Sequence, residues 1–189
     1  MQEKFIQHIR RRGADRVRSW IDWAGEVVTF PLWTANGKLV GYQRYVWNEP
    51  KKRSNIGKYF TWITEEYKPL AFWGMEYVLP NPAGCANHST VSQKPLLVCE
   101  GIFDAIRCIQ CGFRACAILT ATPSRQFVHW FNQLTYHQLT ISIKDNDGAK
   151  SGLDKVGKNA IMSTWHKDMG DHTVDEADEW LHETLRHWI

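Results

Sequence analysis

Three carboxylates follow two apolar runs of the sequence at positions where a metal ion can bind. Glu100 directly follows Leu96-Leu-Val-Cys, and Asp145 and Asp147 follow Thr140-Ile-Ser-Ile-Lys. Residues two apart on an extended segment point to the same side, so the two aspartates can face one point. If both runs are parallel strands, their carboxyl ends lie at one edge of a sheet, where ligands bind. Converging carboxylates repel one another unless a cation joins them, which indicates Mg²⁺ or Mn²⁺.

Other readings of single motifs are weaker than this combination. A lone Glu-Gly or Asp-x-Asp is usually a turn or a helix cap, but here each follows a predicted strand and precedes a predicted helix. An EF-hand is excluded, because Gly148 comes too early after Asp145 and Val156 stands where the bidentate glutamate belongs. Cys108 and Cys111 lie on a predicted helix without further zinc ligands nearby, so we expect structural thiols and no zinc.

Alternating strand and helix patterns after residue 93 predict an α/β domain with a parallel sheet covered on both faces. The predicted strands are 96–99, 115–119 and 139–143. The first predicted helix follows strand 96–99 and ends near Gly112. The next two cover 123–134 and 153–165. A last helix opens with the capping-box pattern Thr173-Val-Asp-Glu176 and places Ala177, Trp180, Leu181 and Trp188 on one side.

The front of the chain has a different pattern, typical of antiparallel strands. Short β-rich runs cover 27–32, 39–47 and 59–63, and Ala35-Asn36-Gly37 predicts a hairpin turn between the first two. The segment 79–95, rich in proline, glycine and serine, is expected to be a linker or exposed loop. We therefore predict a smaller α+β lobe over residues 1–92 and an α/β domain over residues 93–189.

Charge is divided between the two parts. Residues 1–60 contain 12 Lys and Arg against 5 Asp and Glu, whereas the whole chain has a net charge of +3. A basic front suits contact with phosphates, although surface scatter is an alternative. Lys51, Lys52 and Arg53 form a predicted basic loop that touches phosphate, and Trp47 and Trp62 beside it are candidates to stack on bases. The arginines from 10 to 18, with Arg11 and Arg18 on one predicted helical face, either grip a nucleic-acid backbone or form a solvated surface.

Composition also excludes several classes of protein. The first eighteen residues lack the apolar run of a secretory signal, and no stretch approaches the roughly 20 apolar residues of a membrane helix. Five cysteines form no even disulfide framework, which favours a reducing cytoplasm. We expect no membrane partner.

Leu97-Val-Cys-Glu-Gly-Ile-Phe-Asp-Ala-Ile106, followed by Lys144-Asp-Asn-Asp-Gly-Ala-Lys-Ser-Gly152, resembles the TOPRIM domain of bacterial replicative primases and phage primase-helicases. That resemblance implies that Glu100 is an acid-base or metal-binding residue and that Asp145 and Asp147 bind metal. It also implies that Asp104 supports the first loop and that Lys144 is the basic residue of the second motif. Lys167-Asp168-Met-Gly-Asp171 is weakly similar to the closing acidic segment, where Asp168 adds a metal ligand and Asp171 a supporting carboxylate.

The front lobe carries a second resemblance to the part of a primase core that precedes TOPRIM, through residues 30–44, Gly57-Lys58-Tyr59-Phe60 and Phe72-Trp-Gly-Met-Glu. It implies that Arg44 and Lys58 face a nucleoside triphosphate or the template backbone. Thr120-Ala121 stands where the family usually has Gly-Thr, so that loop is expected to differ. The chain shows no zinc-binding module or helicase motor, so a helicase or zinc-binding protein is expected to act in trans.

The leading functional hypothesis is a primase-like nucleotidyltransferase that makes short primers on single-stranded DNA from nucleoside triphosphates by divalent-metal phosphoryl transfer. A TOPRIM nuclease would use the same carboxylates with water as the nucleophile. A third hypothesis is a catalytically silent module that binds nucleic acid or a replication partner.

Overall fold

The computed structural model describes residues 2–47, 58–79, 94–146, 151–165 and 168–189, and it contains two four-stranded sheets. The predicted linker falls largely outside these ranges, as does the boundary that we placed between residues 92 and 93. Within the described ranges, none of the helices combines the length and the apolarity that crossing a bilayer requires.

The first sheet is antiparallel, as predicted. Helix α1 (Gln2–Arg12) precedes strands β1 (Trp20–Asp22), β2 (Val27–Trp33), β3 (Leu39–Val46) and β4 (Tyr59–Ile63), which pair in chain order. The turn between β2 and β3 contains Gly37 at φ 79°, a conformation that glycine adopts without steric penalty. The amide of Gly37 donates to the carbonyl of Thr34, which closes the predicted hairpin.

Helix α2 (Met75–Val78) precedes the second lobe. Its elements are β5 (Leu96–Cys99), α3 (Ile102–Gln110), β6 (Arg114–Ala117), α4 (Arg125–Leu134), β7 (Thr140–Lys144), β8 (Asn159–Met162) and α5 (Val174–Leu185). Its four strands form a sheet that is parallel throughout, in the order β6-β5-β7-β8. The residues of β5 are all buried, as expected for a strand with both faces covered. The predicted α/β architecture is confirmed.

The helix predicted over 153–165 is wrong. A single 3-10 turn covers Leu153–Lys155, and residues 159–162 form β8, which pairs in parallel with β7. Gly157, at φ 88°, lies between the two, and its amide donates to Oδ1 of Asn132 at 2.7 Å. Pairing with an open edge of β7 thus outweighs a weak helical spacing of apolar residues.

The last helix forms as predicted. Thr173 caps α5, with its hydroxyl accepting from the Glu176 amide and the Glu176 carboxylate accepting from the Thr173 amide. Ala177, Trp180 and Leu181 are buried. The predicted core face is confirmed for these three residues, whereas Trp188 lies beyond the end of the helix at Leu185 and is half-buried.

One apolar core joins the two sheets. Phe103, in the first turn of α3, packs edge-on against Phe30 of β2 and Tyr45 of β3, with ring centroids 5.6 and 5.0 Å apart. Trp73 exchanges backbone hydrogen bonds with Ala117 at the end of β6. The inner face of the antiparallel sheet therefore packs directly on the parallel lobe, and the two lobes position each other.

Helix α1 is seated on the antiparallel sheet through His8. The Tyr45 hydroxyl is 2.8 Å from His8 Nε2, and the His8 ring lies 3.8 Å from that of Trp47. Burial, followed by the charges of Arg12, Arg11 and Lys58, lowers the pKa of His8 to about 3. His8 is therefore a neutral packing residue at physiological pH.

His8 should make the protein less stable in acid. Its pKa is lower in the folded than in the unfolded chain, so the unfolded chain binds more protons between pH 6.5 and 3 and stability falls as pH drops through that window. Between pH 7 and pH 5 we expect a loss of up to about 2 kcal/mol from this group. His8→Gln should remove that part of the pH dependence in denaturant unfolding, whereas His137→Gln, at an exposed histidine, should not. If the stability of the wild type, His8→Gln and His137→Gln depends on pH in the same way, the effect does not come from His8.

Gly157 should tolerate no side chain. A Cβ there would lie 2.8 Å from Cγ2 of Thr140 on the neighbouring strand, in addition to the unfavourable φ. Gly37 has a similar φ of 79° but open space around it. Because a left-handed conformation by itself disfavours alanine by about 1–2 kcal/mol, Gly37→Ala should lose roughly that much and Gly157→Ala clearly more. Urea unfolding of the two variants measures the difference, and equal losses would show that the Thr140 contact has no effect.

Candidate active site

An open cavity of about 310 Å³ lies between the carboxyl ends of the parallel strands and the inner face of the antiparallel sheet. Strands β5 and β7 are adjacent and parallel, with Val98 paired to Ser142. Glu100 and Asp145, which follow them, therefore reach the same edge, and both line the cavity. Among the described residues, four carboxylates line it: Glu100, Asp104, Asp145 and Asp168. Asp147, the third member of the predicted set, lies outside the described residues.

Asp104 is the buried member of this group. It lies in the first turn of α3, and its Oδ1 accepts a hydrogen bond from the Gly170 amide at 2.8 Å. Burial, together with the smaller effect of the negative charges of Asp145 and Asp168, raises the pKa of Asp104 to about 7, while the Gly170 amide and Arg12 act in the opposite direction. The carboxylates are therefore close enough to repel one another. The predicted supporting position of Asp104, behind the first loop, agrees with this geometry.

The 168–171 segment closes the cavity. Asp168 lines it, and a 3-10 turn over Met169–Asp171 follows. Gly170 packs so tightly on α3 that a Cβ there would lie 2.8 Å from Cβ of Phe103. Glycine is thus required for the amide of residue 170 to reach Asp104. Asp171 lies on the other side of this turn and forms an ion pair with Arg12.

Arg12 brings a positive charge from the antiparallel lobe to the carboxylates. It is the last residue of α1 and only 4% exposed, and it lines the cavity. Its guanidinium lies 4.0 Å from the centroid of the Phe103 ring, its Nε donates to the Gly170 carbonyl at 3.1 Å, and its Nη2 lies 2.9 Å from Oδ1 of Asp171. An arginine remains charged even when buried, so this cation is permanent.

The role of Arg12 was missed by sequence reasoning, which treated the arginines from 10 to 18 as one surface. The helix ends at Arg12, since Gly13 is left-handed at φ 72°, so the predicted helical face shared by Arg11 and Arg18 does not exist. The spacing of Phe5, Ile9 and Arg12, at positions i, i+4 and i+7 of α1, places Arg12 on the apolar face of the helix and is the signal that could have identified it. The packing of α1 decides what this buried arginine contacts.

Gln43 and Tyr59 also line the cavity and were not predicted. They project from the inner face of β3 and β4, where Gln43 donates to the Thr61 hydroxyl at 2.9 Å. Burial raises the pKa of Tyr59, so its phenol remains protonated and able to donate a hydrogen bond. Strand alternation contains this signal once the register between β3 and β4 is known.

The predicted basic contacts are distributed differently. Lys58 Nζ lies 5.3 Å from the centroid of the Tyr45 ring, and Lys58 does not line the cavity. Arg44 points to the opposite face of β3 from Gln43 and Tyr45 and does not line the cavity. Lys144 ends β7 directly before Asp145. Lys51, Lys52 and Arg53 lie outside the described residues, and the predicted phosphate contacts of this group stay predictions.

The donor set suits a hard divalent cation. Within the described ranges, which exclude Asp147, no three His, Cys, Asp or Glu side chains lie close enough together to hold a metal ion. Glu100, Asp145 and Asp168 nevertheless share one cavity, and the negative charges of Asp145 and Asp168 add to the larger effect of burial in raising the pKa of Asp104. Carboxylate oxygens around an open, repulsive site are the ligands that Mg²⁺ and Mn²⁺ prefer. The residues present therefore fit the expected metal.

The four cysteines in the described ranges do not line this cavity. Cys99, Cys108, Cys111 and Cys116 are buried and free, and burial raises the pKa of the Cys111 thiol to about 12. The prediction that Cys108 and Cys111 are structural thiols agrees with these positions.

The sequence matches no protein-family model and no curated protein sequence. The fold, by contrast, resembles solved primase structures. A DnaG catalytic core aligns with a TM-score of 0.61 at 18% identity, over 85% of this chain and 52% of its own. A DnaG primase catalytic domain bound to ssDNA aligns with a TM-score of 0.53 at 18% identity, over 83% and 48%. The primase fragment of the bacteriophage T7 primase-helicase protein aligns with a TM-score of 0.60 at 13% identity, over 95% and 70%.

These likenesses define the class of fold. The predicted resemblance to the catalytic core of DnaG-type primases is confirmed for the architecture, and it extends across both lobes. The chain spans about half of the DnaG structures described above and 70% of the T7 fragment.

Arg12 should stabilise the joined lobes. Arg12→Gln leaves Asp171 without its cationic partner and leaves the Gly170 carbonyl with only the longer hydrogen bond from Arg107, and since Asp171 is partly exposed we expect a loss of about 1–3 kcal/mol. Arg11→Gln, at the exposed neighbouring position, should change stability by less than about 0.5 kcal/mol. Denaturant unfolding at pH 7 in EDTA gives both values. Equal stability of the two variants would show that the buried pair contributes nothing.

Proposed function

We propose that this chain is the catalytic core of a primase-like nucleotidyltransferase, which joins nucleotides on single-stranded DNA. The observation that carries the proposal is the cavity in which Glu100, Asp145 and Asp168 face Arg12, Gln43 and Tyr59 of the antiparallel lobe. Acidic groups for metal and a basic, hydrogen-bonding wall for phosphate thus lie on opposite sides of one space. Phosphoryl transfer depends chiefly on such positioning and charge stabilisation.

Mg²⁺ or Mn²⁺ would be held by Glu100 and Asp145, with Asp147 and Asp168 as further ligands. When bound, such an ion polarises a phosphoryl group and helps to deprotonate an attacking 3′-hydroxyl. Asp104 has a different role, because it is buried and already accepts from Gly170. It holds the 168–171 turn, and with it Asp168, against the start of α3.

The antiparallel lobe supplies the groups that bind the nucleotide. Arg12 holds a fixed positive charge beside the carboxylates and offsets the charge of a triphosphate, while Tyr59 and Gln43 offer hydrogen bonds from the strand wall. Lys58, which lies over the Tyr45 ring of the same lobe, adds a positive charge that would attract phosphates from solvent. A helicase or a zinc-binding protein would act in trans to select the template.

A nuclease shares the metal chemistry, and the lobe in front of the carboxylates favours the primase. A hydrolase has no need of a second lobe that faces its carboxylates with a buried arginine. The structural likeness to primase cores covers 85% or more of the chain for both the DnaG core and the T7 fragment and therefore includes that lobe.

Incubation with single-stranded DNA, labelled ribonucleoside triphosphates and Mg²⁺ or Mn²⁺ should yield short labelled products. Glu100→Gln and Asp145→Asn should lower the yield by a factor of about 100 or more, and EDTA should abolish it, because the charge of the phosphoryl group is then left uncompensated. Glu76→Gln, at an exposed carboxylate on α2, should keep full activity.

Two results would contradict the proposal. Shortening of the template that depends on Glu100 would identify a nuclease. DNA binding with no chemistry, with or without a helicase or a zinc-module partner, would identify a silent binding module.

A further inference from the structure

The antiparallel sheet has a second, outward face that takes no part in the cavity. Val28, Phe30 and Tyr45 point into the shared core, so the alternate residues of β2, β3 and β4 point away from it. Register places them in rows across the strands. One row contains Trp20, Thr29, Arg44 and Phe60, and the next contains Pro31, Tyr42 and Trp62.

Aromatic rings dominate this face. Trp62 is 48% exposed and stacks on Tyr42, with ring centroids 5.7 Å apart and planes 28° apart. The centroid of the Phe60 ring lies 6.3 Å from that of the Tyr42 ring on the same surface. Trp20, at the other edge of the sheet, is 55% exposed. Large aromatics are usually mostly buried, so exposed indoles on one sheet face require a reason.

The charges interleaved with these rings are positive. Arg44 lies at the centre of the first row, and the guanidinium of Arg18 lies 4.4 Å from the centroid of the Trp33 ring. The fully described strands β2, β3 and β4 carry no aspartate or glutamate at all. Asp22, two residues after Trp20, lies on the same face at the edge of the sheet, where its carboxylate accepts hydrogen bonds from the amides of Ala24 and Gly25.

Exposed rings among arginines, with no carboxylates between them, match single-stranded nucleic acid. Bases stack on indole and phenol rings whatever their sequence, and arginines neutralise the phosphates between them. A second copy of this surface would bring arginines against arginines. A duplex would keep its bases stacked on each other, where these rings cannot reach them.

We propose that the outward face of the antiparallel sheet is a stacking site for single-stranded nucleic acid, in which Trp62, Tyr42 and Trp20 hold bases and Arg18 and Arg44 hold phosphates. It lies on the opposite side of the sheet from Gln43 and Tyr59. The site therefore holds a strand without filling the cavity, and it goes beyond the proposed catalytic function.

Fluorescence anisotropy with a labelled 20-nucleotide single strand, in EDTA and without nucleotides, tests this site. Trp62→Ala and Trp20→Ala should each weaken binding by about fivefold or more, since stacking contributes at least that factor per base. Arg44→Gln should reduce the slope of log affinity against log salt by about 0.7. The corresponding duplex should show much smaller effects. Tyr136→Ala, at a 67% exposed aromatic on the parallel lobe, is the matched control and should bind like wild type.

Several outcomes would overturn the proposal. One is unchanged affinity in the Trp20→Ala, Trp62→Ala double variant with an unaltered unfolding midpoint. Another is sedimentation showing a dimer that Trp62→Ala dissociates while single-strand affinity stays the same. The catalytic proposal is judged separately, because Glu100→Gln should bind the strand normally, and loss of primer synthesis in that variant is independent of the outward face.

Discussion

Mutual repulsion among carboxylates at one edge of the parallel sheet is the constraint on which the rest of the structure depends. Glu100 and Asp145 reach this edge because β5 and β7 are adjacent, and Asp168 and the buried Asp104 add to the charge. Burial and, to a smaller extent, the charges of Asp145 and Asp168 raise the pKa of Asp104. The Gly170 amide and the guanidinium of Arg12 offset part of the negative charge, and a divalent cation would offset the remainder.

That compensation explains why the two lobes are joined as they are. Arg12, the last residue of α1, lies over the Phe103 ring, donates to the Gly170 carbonyl and forms an ion pair with Asp171. The helix of one lobe therefore binds the closing turn of the other. Phe103 in turn packs against Phe30 and Tyr45 of the antiparallel sheet. The front lobe is therefore part of the site. Its sheet presents Gln43 and Tyr59 inward and an aromatic, basic surface outward, a division that follows from strand alternation.

Sequence patterns were most informative where burial alone decides structure. Continuous apolar runs such as Leu96–Cys99 form fully buried strands, and the capping box at Thr173 starts α5 as expected. The pattern failed over 153–165, where apolar spacing suggested a helix. There Gly157 adopts a positive φ, and the following residues pair with the free edge of β7. A local pattern shows neither the partner strand nor the register of that pairing.

By itself the sequence determined the α/β class, the antiparallel front, and the placement of Glu100 and Asp145 at strand ends, because local periodicity and motif spacing encode these features. The tertiary structure alone decided that the buried Arg12 contacts Gly170 and Asp171, that Gly170 holds Asp104, that Arg44 turns away from the cavity and that Trp62 is exposed while Trp47 packs on His8. Each of these depends on contacts between residues far apart in the chain. Such contacts depend on which helix packs on which sheet, and the pattern of neighbouring residues in the sequence does not specify that packing.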